Sequence, residues 1–118
     1  MFINLSNHPS NLWAPEQIAE ARKYGEIVDM AFPNIGPELE ADYLRLFADN
    51  CASKIACDYG KEDLTIHVMG EMTFTYNLVA RLKAMGIRCV ASTTERHTHL
   101  DADGNKVSEF KFVQFREY

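Results

Sequence analysis

The alternation of short apolar segments with amphipathic helical patterns is the feature that most constrains this fold. Apolar, strand-like sequence occupies residues 2–5, 27–30, 64–68 and 87–91. Apolar residues at helical spacing lie between these segments, over about 15–25, about 37–60 and 73–85. The resulting order β-α-β-α-β-α-β favours a mostly parallel sheet with right-handed crossovers.

The end of the chain departs from this rhythm. The turn-forming run from Asp101 to Asn105 separates two extended segments and predicts a β-hairpin. Its second strand, 107–118, is apolar on both faces, with Phe110 and Phe112 on one and Val107, Val113 and Phe115 on the other. Such a strand is central in a sheet, bulged, or covered by another subunit, and we predict a homodimer that uses this region.

The whole chain is therefore expected to form one domain of residues 1–118. We predict an α/β, Rossmann-like three-layer fold, in which a mostly parallel four-stranded sheet occupies the core, 1–96, and a C-terminal β-hairpin forms the extension, 97–118.

Composition limits the classes of partner. The net charge of −5 argues against a protein that coats long nucleic acid, because such binding depends on basic surface. The three cysteines, Cys51, Cys57 and Cys89, show no CxxC spacing, and we expect reduced thiols in or near the core. No signal peptide or membrane span is evident in the sequence. A cytoplasmic location is expected.

The segment from Gly70 to Tyr76 is the first candidate site. Gly70 permits a tight exit from the preceding strand, and Thr73 or Thr75 could cap the helix or bind phosphate. The helix N-terminus favours an anion. The segment lacks the Walker lysine and the GxGxxG spacing, so neither an ATPase nor a dinucleotide fold is supported. The alternative is a simple helix cap with Glu71 in the first turn.

Two further segments follow the carboxyl ends of predicted strands. Ser92 to Arg96 combines hydroxyls with an arginine that could grip a phosphate, or else Glu95 and Arg96 are cross-strand partners in the hairpin. Ser6 to Ser10 contains His8, which could bind a base, act as a general base, or cap a turn.

The remaining aromatic and histidine residues carry weaker signals. Trp13 could stack on a nucleobase or pack against a helix, and His67 falls within a buried strand. His97 and His99 share a strand face but have no spaced third ligand. Neither a metal nor a cofactor is expected.

Three of these segments together resemble a known family. The run Leu5-Ser-Asn-His-Pro, the run from Gly70 to Tyr76 and the strand end Ser92-Thr-Thr-Glu-Arg resemble the small CRISPR-associated Rossmann-fold (CARF-like) proteins. At this length the chain is similar to the standalone ring nucleases of type III CRISPR systems. The resemblance covers residues 1–96, and the chain departs from it in lacking the Lys of a Gly-Thr-Lys-like turn at Gly70.

The resemblance implies a cytoplasmic homodimer that binds cyclic oligoadenylate across its two-fold axis. Cleavage would need no metal, because each ribose 2′-hydroxyl attacks its adjacent phosphate to leave a 2′,3′-cyclic phosphate. Such an enzyme would switch off type III CRISPR signalling. The implied catalytic residues are Arg96 for phosphate charge, His8 for base recognition or proton transfer, and Thr73 for phosphate oxygens. The implied ligand-binding residues are Ser6, Asn7, Ser10, Gly70, Glu71, Met72, Thr75, Tyr76, Thr93, Thr94 and Glu95.

Three alternatives remain open from the sequence. The protein could be a non-catalytic sensor or sponge for the same second messenger, since both need the same pocket. It could be a small structural or interaction subunit without a ligand. It could also be an ordinary mononucleotide-binding protein that uses the helix N-terminus. The sequence does not indicate the ring size of the ligand.

Overall fold

One five-stranded sheet runs through the protein, and the computed structural model describes all residues, 1–118. The elements in chain order are β1 (Phe2–Ser6), α1 (Pro15–Arg22), β2 (Ile27–Ala31), α2 (Ala41–Tyr59), β3 (Thr65–Met69), α3 (Met72–Ala84), β4 (Arg88–Leu100) and β5 (Lys106–Glu117). The strand order is β2-β1-β3-β4-β5, with the first four strands parallel and β5 antiparallel to β4. The predicted α/β class, with a mostly parallel sheet and a C-terminal hairpin, is confirmed. None of the helices has the length and apolar content needed to cross a bilayer.

The two faces of the sheet carry layers of very different thickness. On one face, α2 and α3 pack over Ile3, Leu5 and Ile66, which belong to the main apolar core. On the other face a small cluster of Phe2, Ala21, Val90 and Phe115 joins the sheet to α1. Because both faces are covered, every residue of β1 is buried.

The second helix begins later than the proline pattern predicts. We expected it from about residue 37, whereas α2 starts at Ala41. A turn in which the Leu39 nitrogen donates to the Gly36 oxygen, followed by extended backbone at Glu40, occupies the start of the expected helix. The predicted end at Gly60 is confirmed, since this residue takes a φ of 76° directly after α2.

The fourth strand is longer than predicted. The sequence suggested a strand ending at residue 91, a polar tip, and a separate hairpin. Instead β4 continues without a break to Leu100, and its outer half pairs with β5 as a two-stranded ribbon. Polar residues are compatible with strand structure here because most of the ribbon lies outside the core.

A β-bulge explains why β5 is apolar at positions that strict alternation would place on opposite faces. Thr93 pairs with Gln114 while Thr94 pairs with Phe112, so Val113 is skipped. The extra residue turns Phe115 onto the same face as Phe110 and Phe112. Among the three explanations that the sequence left open, the structure shows the bulge. The ring centroid of Phe115 lies 4.9 Å from that of Phe112 and 5.0 Å from that of Phe2.

Truncating Phe115 should destabilise the protein far more than truncating Phe110 on the same strand face. Phe115 is 8% exposed and Phe110 is 67% exposed. We expect Phe115→Ala to lower the free energy of unfolding by about 3 kcal/mol, and Phe110→Ala by about 0.5 kcal/mol or less. Urea unfolding measures both values. Equal losses would contradict the bulged register.

Candidate functional site

A cavity lies at the carboxyl edge of β1, β3 and β4, on the face of the sheet that carries α1. Its volume is about 850 Å³, within the range of roughly 300–1,000 Å³ typical of small-molecule sites. The carboxyl edge of parallel strands is the usual ligand edge of such sheets. The residues that line it include Ser6, Asn7, His8, Trp13, His67, Gly70, Ser92, Thr94, Phe110, Lys111 and Phe112.

Asn4 does not line this cavity, but it bonds to His8 and His67, which do, and no role was predicted for it from the sequence. It is buried on β1, in register with Asp29 of β2 and His67 of β3. Its Nδ2 donates to Asp29 Oδ1 and to the backbone oxygen of His8, each at 2.9 Å. Asn4 therefore ties the loop after β1 to the sheet.

The hydrogen bonds of Asn4 determine the tautomer of His67. Both Nδ2 hydrogens of Asn4 are used, so its Oδ1 is an acceptor, and Ser6 Oγ lies within donating distance of it at 2.7 Å. His67 Nδ1 is 2.9 Å from the same Oδ1 and must carry a hydrogen to bond it. Nε2 is then an unprotonated acceptor, and it is buried without a hydrogen-bond partner.

Aromatic side chains surround the His67 imidazole. Its centroid lies 5.4 Å from those of Trp13 and Phe115 and 6.2 Å from that of Phe2. Burial, with a smaller contribution from the charge of His8, lowers the pKa of His67 from 6.5 to about 4. The imidazole is therefore neutral at pH 7.

Asp29 anchors the far end of this polar row. Its carboxylate also accepts hydrogen bonds from the backbone nitrogen of Ser10 at 3.1 Å and from Ser10 Oγ at 2.8 Å. Partial burial raises the pKa of Asp29, but the bonds from Asn4 and Ser10 outweigh it and lower the pKa below the ordinary value. The predicted ligand residue Ser10 thus contacts Asp29 in this structure.

The N-terminus of α3 is capped by the protein itself. The Glu71 carboxylate accepts hydrogen bonds from the backbone nitrogens of Thr73 and Phe74, both at 2.9 Å, and from Thr73 Oγ1 at 2.6 Å. The bonds from Thr73 and Phe74 lower the pKa of Glu71. These contacts match the helix-cap alternative, and a phosphate at these amides would have to displace the carboxylate.

The structure places the predicted site residues in several places, and some of them line two neighbouring cavities. Ser6, Asn7, His8, Gly70 and Thr94 line the large cavity already described. A second, more apolar cavity of about 570 Å³ is lined by Gly70, Met72, Thr75 and Tyr76. Gly70 borders both, and a side chain there would meet the Phe32 ring, because a Cβ would lie 2.3 Å from it.

The residues of the predicted polar tip lie on the ribbon. Arg96 shares a strand face with Thr94 one step further from the core, and its guanidinium donates to Ser108 Oγ at 3.1 and 3.2 Å. Thr93 Oγ1 donates to the backbone oxygen of Gln114. Glu95 stands opposite Lys111. The ligand roles of these residues remain predictions.

The cysteines lie outside the large cavity and are free thiols. Cys89 is buried and Cys51 is half-buried, as expected, and burial raises the pKa of Cys89 to about 12. The expectation for Cys57 was wrong, since its position on α2 is exposed.

The fold and cavity define an α/β protein with a small-molecule-sized cavity at the carboxyl edge of its parallel strands. The chain belongs to the uncharacterized protein MJ1673 family, because residues 1–116 match the sequence model of that family. No curated protein and no solved structure is significantly similar to it. The family match shows no link to CARF proteins or to CRISPR systems, so that resemblance stays a prediction.

Acidification should reveal the buried neutral state of His67. The unfolded chain binds a proton at His67 below about pH 6.5, whereas the folded protein does so only near pH 4. The free energy of unfolding should therefore fall as the pH drops through this window, by on the order of 3 kcal/mol from this residue.

The variant His67→Phe isolates this contribution from those of the carboxylates. It keeps an aromatic ring among Phe2, Trp13 and Phe115 but cannot bind a proton. Urea unfolding at several pH values should show a shallower pH dependence for the variant. Identical pH dependence in both proteins would contradict a depressed pKa at His67.

Proposed function

We propose that this protein binds cyclic oligoadenylate in the large cavity and opens the ring without a metal. The observation that carries the proposal is the cavity itself, which combines hydroxyl, amide and imidazole groups with aromatic side chains at the carboxyl edge of the sheet. Such a lining suits a nucleotide, because bases stack on aromatic rings while ribose and phosphate need polar partners. The resemblance to ring nucleases supports the choice of ligand.

The cavity offers a partner for each part of a nucleotide. Trp13 and Phe112 supply aromatic surface for a base, and Asn7 and His8 are exposed at the rim near ribose and phosphate. Lys111 lines the cavity, and Arg96 lies further from the core on the ribbon face that carries Thr94 and Phe112. These two cations give local positive charge to a protein whose net charge is −5.

The proposed reaction uses a nucleophile that belongs to the substrate. The ribose 2′-oxygen attacks the adjacent phosphorus, so the P–O2′ bond forms while the P–O5′ bond breaks. His8 takes the hydroxyl proton, and water protonates the departing 5′-oxygen. The products carry a 2′,3′-cyclic phosphate and a 5′-hydroxyl, and in the cytoplasm this would switch off type III CRISPR signalling. Alignment and charge stabilisation by Arg96 supply the catalysis.

A second copy of the chain completes the proposed site. The ribbon exposes Leu100 and Val113, which are 69% and 54% accessible. β5 is an edge strand of the sheet, so its outer side has no strand partner. Pairing of two ribbons would cover this apolar surface and bring the two Arg96 side chains toward one cleft.

Charge placed on the ribbon should disrupt this dimer. We expect Val113→Glu to convert dimer to monomer in light scattering coupled to gel filtration, because a carboxylate would be buried in the contact. Leu46→Glu is the matched control, since Leu46 is 58% exposed on α2, away from the ribbon. A monomeric wild-type protein, or a Val113→Glu protein that remains dimeric, would contradict the proposed interface.

One observation favours binding without cleavage as the second candidate. Glu71 occupies the amides at the start of α3, which would otherwise stabilise charge on a phosphate. A protein with these donors engaged could hold the ring and not cut it. It would then act as a sensor or sponge.

Cyclic oligoadenylates of several ring sizes, incubated with the protein in EDTA, distinguish these functions. We expect linear products with 2′,3′-cyclic phosphate ends. His8→Ala and Arg96→Ala should each slow cleavage by about a hundredfold or more, since positioned proton transfer and charge stabilisation contribute on this scale. Lys61→Ala is the control because Lys61 is exposed and outside the cavity.

Each outcome points to one candidate. Cleavage at the wild-type rate by Arg96→Ala would remove its catalytic role. A raised melting temperature without linear products would favour the sensor or sponge. Neither binding nor cleavage with any ring would contradict both candidates.

A further inference from the structure

We propose that His67 reads the base of the bound nucleotide, its Nε2 accepting a hydrogen bond from an N–H donor on a planar heterocycle. This inference rests on the proposed function, because it concerns the same cavity. His67 Nε2 is the atom that selects the base, and the base must carry an N–H donor. For cyclic oligoadenylate that group is the adenine 6-amino group.

The hydrogen bond between Asn4 and His67 has a fixed direction. Asn4 commits its Nδ2 hydrogens to Asp29 and to the backbone of His8, so only its oxygen faces His67. The imidazole therefore donates through Nδ1 and presents a lone pair at Nε2. A ligand at this atom must bring a donor.

His67 keeps this acceptor state at physiological pH. The ring is 2% exposed and lies among Phe2, Trp13 and Phe115, with no carboxylate in contact with it. A proton on Nε2 would place an imidazolium in an apolar environment, which is unfavourable. His67 is thus a fixed acceptor and a poor base, which separates its role from that of His8.

His67 Nε2 has no hydrogen-bond partner in the protein. Buried polar atoms are nearly always hydrogen-bonded, and an exception calls for a reason. His67 lines the large cavity, and Nε2 is its only ring nitrogen without a contact. A ligand donor would satisfy this atom.

The position of Trp13 limits which ligands can reach Nε2. Trp13 covers the imidazole edge-on, at an interplanar angle of 90°, and is carried by the loop between β1 and α1. In the proposed complex the Trp13 ring moves aside and stacks on the base, whose edge then reaches Nε2. A planar ring with an amino group on its edge fits this arrangement. Adenine meets both conditions.

Ligand and protein changes can be combined to test this contact. The probes are cyclic oligoadenylate and the matching ring built from purine riboside, which lacks the 6-amino group. Trp13 is the only tryptophan in the chain, so its fluorescence reports binding directly. The wild-type protein should bind cyclic oligoadenylate about tenfold more tightly than the purine riboside analogue, because one buried hydrogen bond is lost with the analogue.

His67→Phe should bind cyclic oligoadenylate and its purine riboside analogue equally, because the acceptor is gone while the aromatic packing remains. His67→Leu also lacks an acceptor, so it should lose the preference as well, and it serves if the phenylalanine variant does not fold. Thr65→Val is the control, since Thr65 is buried two residues away on the same face of β3 but outside the cavity. It should keep the tenfold preference.

The outcomes separate this inference from the proposed function. If the wild-type protein binds both rings equally, or if His67→Phe keeps the preference, the role of His67 is wrong while the binding function stands. If neither ring changes the fluorescence or the melting temperature, the proposed function itself is contradicted.

Discussion

A row of hydrogen bonds across three parallel strands supports the rest of this structure. Asp29, Asn4 and His67 stand side by side in register on β2, β1 and β3. Asn4 bonds both neighbours at 2.9 Å and also holds the loop that carries His8. Interior polar groups are favourable only when they are paired, so each member restricts the others. Replacing Asn4 would leave a buried imidazole and the loop without their partners.

A thin layer covers the face of the sheet that carries this row. Two helices cover the opposite face of the sheet, whereas here α1 and a few aromatic rings cover the row. The cavity opens where that cover ends, at the carboxyl edge of the strands. The same rings that lower the pKa of His67 also supply stacking surface beside its free acceptor. If the proposed function holds, stability and ligand recognition draw on the same small group of residues.

Much of the fold could be predicted from local patterns. The buried strands and the helical periodicity gave the correct order of elements because each pattern reports burial of one segment. The bulge at Val113 could not be predicted, since it depends on how β5 pairs with Thr93 and Thr94. The extension of β4 was missed for a related reason, because a ribbon outside the core needs no apolar face.

Less of the candidate site than of the fold could be predicted from the sequence. The segment after β1 was identified because it follows a strand end, and Ser6, Asn7 and His8 do line the cavity. Asn4 and His67 were not assigned roles, since their meaning lies in the register between strands distant in sequence. A polar residue in each of two buried strands was the available signal. Glu71 could be interpreted from local sequence alone. The helix cap, one of the two interpretations of this segment, is present in the structure.

The proposed recognition requires that His67, beside the cavity, is neutral and has an unprotonated Nε2. Nitrogen NMR of protein labelled with ¹⁵N-histidine measures the protonation of each ring nitrogen directly. At pH 7, and in the absence of ligand, we predict that Nδ1 of His67 carries the proton and that Nε2 gives the signal of a bare acceptor nitrogen. A proton on Nε2, in either the other tautomer or the imidazolium form, would contradict the account.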